Sequence, residues 1–252
     1  MAPSETKHTR PITTAHAHIN KSKTIRREEH NYLQMAATVN TIQALTRQLA
    51  MDIAILCSKI TVPTKKGEEQ TITHLVYTTL WRLATMCFVM QFNPAEIIIK
   101  KMMINKRKYD EKECMKHAHI LKWTAFSNVS GINESTVLPV IFSNSVVHSK
   151  EDAMKALMDS FIPIAADIHA FAKRRNWIDK YTEQSITMSL IAETGELAEV
   201  FQWRDSNQTI AQMQLNAVND CAMEIADIYV YLFHLCRVLE MSKATLDQIS
   251  LP

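Results

Sequence analysis

Two short runs place carboxylates where a helix would bury them. In ETGELAEVF (193–201) and EIADIYVYL (224–232), acids recur three residues apart, Glu193 with Glu196 and Glu224 with Asp227. At about 100° per residue, Glu193 projects from the middle of an apolar stripe of Leu190, Leu197, Val200 and Phe201, and Glu224 from one of Ile228, Tyr231 and Leu235. A carboxylate there must be compensated or take up a proton. A lone acid such as Glu199 is met by a basic partner or by water. Four acids as ExxE and ExxD, with few basic residues beside them, call for a cation. Four carboxylates without His or Cys form a hard oxygen set, which favours Mg²⁺, with Mn²⁺ as the alternative, over zinc. A di-iron bundle would use Glu-x-x-His pairs, and no His stands third after Glu193 or Glu224. Mg²⁺ completes its shell with water and substrate phosphates, so the chemistry expected is on a nucleotide or another polyphosphate.

Helices must supply this positioning. The 252 residues are 47% hydrophobic and hold only three Gly and seven Pro, too few breakers for the turns of an all-β fold. The fold expected is nearly all-α. Five cysteines without CxxC spacing indicate neither a disulfide framework nor a zinc site, and so a reducing compartment. A formal charge of +2 is too small to argue for nucleic acid, and no apolar run approaches the roughly 18 residues of a membrane span. Residues 1–28 are basic and almost free of acids, and read either as a disordered tail or as a transit peptide. The expected location is therefore cytoplasmic, with mitochondrial as the alternative.

The segment 121–149 has Ser/Asn clusters, Gly131, Pro139 and no helical period, and reads as a linker between halves at 29–120 and 150–252. Helix resumes at SKED, where Ser149 and Asp152 have capping-box spacing. The halves carry a faint repeat. TIQALTRQLAMDI (41–53) aligns with SLIAETGELAEVF (189–201), sharing Ala44/Ala192, Thr46/Thr194, Leu49/Leu197 and Ala50/Ala198. LATMCFVMQFNPAEI (83–97) aligns with LFHLCRVLEMSKATL (232–246), sharing Leu83/Leu232, Cys87/Cys236, Val89/Val238 and Ala95/Ala244. Two collinear matches favour duplication, although helical composition mimics part of the signal. Gly195 is the anomaly, since glycine inside a helix costs roughly 1 kcal/mol relative to alanine.

ETGELAEVFQW followed by EIADIYVYL resembles the MazG-type all-α nucleoside triphosphate pyrophosphatases, most closely the dCTP pyrophosphatase branch, over about residues 165–246. The resemblance implies that Glu193, Glu196, Glu224 and Asp227 are the metal ligands. It also implies that Trp177 and Trp203 hold the base, and that Tyr231 is the tyrosine beyond the ExxD aspartate. Core packing is the competing reading for both tryptophans. His169 matches the family's base-contacting histidine only with a one-residue deletion before Trp177.

The family pattern continues into a KM-x-x-N-x-R-x-Y tail that approaches the phosphates. No such tail follows the acids here, but KMMINKRKY at 101–109 matches it in the other half, with Lys101, Asn105 and Arg107 in place. A solvated basic helix end is the plainer reading of that run. The first half in turn lacks the acids, since Leu45, Gln48, Leu75 and Thr78 stand at their positions. The architecture expected is two MazG-like helical-bundle repeats packed as a pseudo-dimer around one composite site. For Gly195 the expectation is that its missing side chain lets a neighbouring helix approach the acids.

The function this implies is Mg²⁺-dependent hydrolysis of a nucleoside triphosphate, such as dCTP or a modified dCTP, to monophosphate and pyrophosphate. Glu196 is the candidate to orient or deprotonate the attacking water, and Lys101 and Arg107 would offset developing charge. A preference for dUTP or another nucleotide, or a non-catalytic nucleotide sensor or scaffold, are the alternatives. A homo-oligomer of pseudo-dimers is the assembly considered.

Overall fold

The computed structural model describes residues 37–61, 69–116 and 147–249. Within them the chain is all-α, with no strand and one isolated bridge between Thr38 and Thr209. The helices are α1 (Val39–Thr61), α2 (Glu69–Met90), α3 (Pro94–Lys108), α4 (Glu111–Lys116), α5 (Lys150–Asp159), α6 (Phe161–Arg174), α7 (Glu183–Phe201), α8 (Leu215–Val238) and α9 (Lys243–Asp247). The basic N-terminal segment and nearly all of the expected linker lie outside the described residues.

Apolar spacing decides how these helices pack. In α1, Ile42, Thr46, Leu49, Ile53, Leu56 and Ile60 recur at three- to four-residue steps and are buried, while Arg47, Gln48 and Met51 face outward. Helix α8 is different. From Cys221 to Cys236 every residue is buried except Glu224 and Asp227, which are half-buried, so α8 is the central helix. It packs against α7, α2, α3 and α6, while α1 packs against α2 and α7. The result is a ring of four helices, α1, α2, α8 and α7, with α3, α5 and α6 laid over it. Buried side chains from residues 37–116 and from residues 147–249 form one core. All five cysteines are free, buried thiols, and no helix among the described residues is long and apolar enough to cross a membrane.

Local turns aim α3 at the acids. Helix α2 ends in a left-handed residue, Gln91 (φ 59°), and the Phe92 amide bonds back to the Cys87 carbonyl at 2.8 Å. Asn93 then caps α3, its side chain accepting from the Ala95 amide at 3.0 Å, with Pro94 in the first turn. The end of α8 repeats this at the aligned positions. Glu240 is left-handed (φ 54°), the Met241 amide bonds to the Cys236 carbonyl at 2.7 Å, and Ser242 caps α9. Buried Thr46 and Thr194, also aligned, each bond back to the carbonyl one turn earlier, that of Ile42 and Leu190 respectively. At α5, the Ser149 hydroxyl accepts from the Asp152 amide at 2.9 Å, as the SKED spacing indicates.

Candidate functional site

Helix α7 starts on a full capping box between Thr182 and Ser185, which sets its register at the edge of the core. Two turns later it presents Glu193, and α8 beside it presents Glu224 and Asp227. Each offers a carboxylate oxygen, and the three oxygens lie within 4.8 Å of one another. Glu196 is one turn further along α7, solvent-exposed, and stands outside this trio while still lining the same cavity.

Lys101 reaches this cluster from α3. It is 5% exposed, and its Nζ lies 2.5 Å from Asp227 Oδ2. Asn105, one turn on, lines the same cavity, which has a volume of about 360 Å³. The acid-bearing half and the half carrying the basic tail therefore do meet. Arg107 does not join them, being exposed on the outer side of α3 and outside the cavity lining, where Lys108 stands instead.

The electrostatics are those of crowded acids. Burial first, then the carboxylates of Asp227, Glu196 and Glu224, push Glu193 up to about 8, against an opposing pull from Lys101. A divalent cation would relieve this crowding, and three carboxylates at this separation are a donor set for a hard ion such as Mg²⁺ or Mn²⁺. The residues fit such an ion. Lys101 neutralises part of the charge and leaves the cluster still acidic on balance.

Aromatic rings make up the rest of the lining. Trp177 is buried and stands edge-on to Tyr109 (centroids 5.3 Å, 75°) and to Phe171 (5.6 Å, 77°). Left-handed Asn176 (φ 58°) turns the chain so that Trp177 folds back, its amide bonding to the Ala172 carbonyl at 3.0 Å. Arg175 braces this wall. It is buried, donates from Nε to the Tyr109 carbonyl at 2.7 Å and from Nη1 to the Phe171 carbonyl at 3.1 Å, and its guanidinium sits 3.8 Å from the Phe171 ring centre. Tyr231 also lines the cavity, and burial raises its hydroxyl well above the usual tyrosine range.

Two expected residues are elsewhere. Trp203 is 89% exposed in the turn after α7 and does not line the cavity. His169 does not line the cavity, and its pKa is lowered by burial and then by the charges of Arg237 and Lys173. The histidine that does line the cavity is His234, packed on Tyr181 with ring centres 4.2 Å apart. Burial, with Arg237 and His169 nearby, pushes it down to about 3, so it is neutral. Its signal was present in the spacing, because Glu224, Asp227, Tyr231 and His234 follow one face of α8.

The expectation for Gly195 is corrected. A Cβ built there meets nothing within 4 Å, so no helix among the described residues uses the space its missing side chain leaves.

No family model and no solved structure matches the chain. Two curated relatives do. The chain is 34% identical over 79 residues to dCTP pyrophosphatase 1 of Bos taurus, covering 28% of this chain and 45% of the relative. It is 30% identical over 113 residues to dCTP pyrophosphatase 1 of Homo sapiens, covering 42% of this chain and 58% of the relative. The chain thus spans about half the length of the curated relatives it matches.

Proposed function

We propose that the chain hydrolyses a nucleoside triphosphate, with dCTP or a modified deoxycytidine nucleotide as the first candidate, to the monophosphate and pyrophosphate. One observation carries this reading: a single cavity lined both by three clustered carboxylates beside a buried lysine and by a braced aromatic wall. A triphosphate calls for the first lining and a base for the second. The volume of about 360 Å³ falls in the range of ordinary ligand pockets. The partial identity to two dCTP pyrophosphatases supports the same class of chemistry.

Glu193, Glu224 and Asp227 are the residues that would hold Mg²⁺ or Mn²⁺. When bound, such an ion neutralises phosphate charge and lowers the pKa of its water. Lys101 and Asn105 bind phosphate oxygens, with Lys108 taking the part first expected of Arg107. Trp177 offers a ring for the base to stack on. Glu196, outside the trio at the exposed side of the cavity, orients the attacking water and takes its proton. The water oxygen bonds to the α-phosphorus as the bond from that phosphorus to the bridging oxygen breaks, and pyrophosphate leaves with the electron pair.

The two halves are read as diverged copies of one unit that share this site. Matched caps at Gln91/Glu240 and Asn93/Ser242, and matched Thr46/Thr194 bonds, support that reading.

A panel of nucleoside triphosphates assayed for pyrophosphate with Mg²⁺ tests the proposal. Expected is release from dCTP that falls at least about 100-fold in Glu224→Gln and in Asp227→Asn. Unchanged release in either variant would remove these residues from the site. The Lys101–Asp227 pair, which already occupies one carboxylate, favours a second reading as a nucleotide sensor. Tight dCTP binding without release in Mg²⁺ or Mn²⁺ would select it.

A further inference from the structure

Beyond the acids the cavity continues along α8. His234 stands two turns past Asp227, about 10.5 Å further along the axis at 1.5 Å per residue, and both line the cavity. Tyr181, on which His234 packs, follows Trp177 by one 3₁₀ turn (Ile178–Lys180). His234 therefore belongs to the aromatic end, away from the carboxylates.

Other polar groups at this end are already engaged. The Tyr231 hydroxyl bonds to Ser189, which itself donates to the Ser185 carbonyl at 3.0 Å, and the Tyr109 hydroxyl pairs with Lys108. His234 is different. It is 2% exposed, and among the described residues no hydrogen bond reaches its ring. Being neutral, the imidazole presents one donor and one acceptor. Buried polar groups without partners cost stability, and a ligand that supplies the partners recovers it.

We propose that His234 reads the base of the nucleotide, hydrogen-bonding its edge while Trp177 covers its face. This rests on the nucleotide reading above and adds to it a residue that determines specificity. A site that hydrogen-bonds its substrate rejects analogues lacking the matching groups, whereas a stacking ring accepts any base. Base preference is thus set at His234, and Lys101 and Asn105 contact only phosphates.

Calorimetric titration of the full chain in Mg²⁺ tests this with two probes, the α,β-methylene analogue of dCTP and inorganic triphosphate. His234→Leu, close in volume and without hydrogen-bonding groups, should bind the dCTP analogue about tenfold more weakly and inorganic triphosphate as the unaltered chain does. His234→Gln, neutral with a donor and an acceptor, should recover most of the loss. Equal affinity for the dCTP analogue in His234→Leu would overturn the assignment, as would an equal loss for both probes. If the analogue does not bind the unaltered chain, the nucleotide reading falls and takes this inference with it. Should His234→Leu unfold, the imidazole NMR signals of the unaltered protein decide. The signals missing from the His234→Gln spectrum should shift on adding the dCTP analogue and stay in place with inorganic triphosphate, and no shift with the analogue would overturn the proposal.

Discussion

Matched at the offsets of the faint repeat, the pair α7–α8 and the pair α1–α2 handle four corresponding positions in opposite ways. In α7–α8 three of the four carboxylates are held within 4.8 Å of one another, and burial together with their mutual repulsion pushes Glu193 up to about 8. In α1–α2 the aligned Leu45 and Leu75 pack against the core, and the Thr78 hydroxyl bonds to the His74 carbonyl of its own helix. The fourth, Gln48, accepts from Arg82, which also donates to Asp52 at 2.9 Å. Arg82 stands where α8 carries Tyr231. One pair is electrostatically incomplete and lines a cavity; the other satisfies its polar groups internally. The two helix pairs thus share similar caps and packing, while the polar residues of one line a cavity and those of the other close on themselves.

The contrast breaks most sharply at Lys101, the residue by which the acid-poor half reaches the acids. Lys101→Met strands a half-buried Asp227, and breaking a buried pair costs up to about 3–5 kcal/mol, an upper bound here. Urea unfolding should show that loss, Mg²⁺ should recover much of it, and pyrophosphate release should stay down by about 100-fold, because the ion replaces the lost charge and not the phosphate contact. Recovery of turnover by Mg²⁺ would place Lys101 in a purely structural role.

A smaller effect distinguishes the pairs by pH. Glu193 titrates near 8 in the metal-free fold and near its ordinary value of 4.5 once unfolded. Between these the folded chain binds more protons than the unfolded one, so stability falls as pH rises from about 5 through 8. Thermal melts in a chelator should show the decline, and Glu193→Gln should flatten it. No such slope is expected from the Leu45 side. Smallest of all is Arg82→Met. Its pair with Asp52 is partly exposed, worth about 1 kcal/mol or less, and melts should move little with pyrophosphate release unchanged. A large loss of activity there would mean that the closed cluster also serves the site.

Much of this was legible from spacing. The acid pairs, the cap at Ser149 and the matched offsets are local or periodic features, and helices at 3.6 residues per turn convert them directly into faces. The meeting of Lys101 with the acids was also legible, because the basic run at 101–109 matched a tail that the acid-bearing segment lacked. Glu196 shares the acidic motif but leaves the trio, since one turn along α7 carries it from the core edge to the solvent side. Trp203 and Trp177 looked alike in sequence. A left-handed turn folds Trp177 against Tyr109 and Phe171, while Trp203 sits in a turn exposed to solvent.

The amino-acid sequence by itself determined the helices, the faces they bury and the excess of carboxylate on two of them. Only the tertiary structure decided which side chains share a cavity: Lys101 with Asp227 across the two halves, His234 in place of His169, and Lys108 in place of Arg107. The reason is physical. Periodicity specifies direction around one helix axis, whereas meeting between helices depends on the turns at Gln91 and Asn176 and on how deeply α8 is buried.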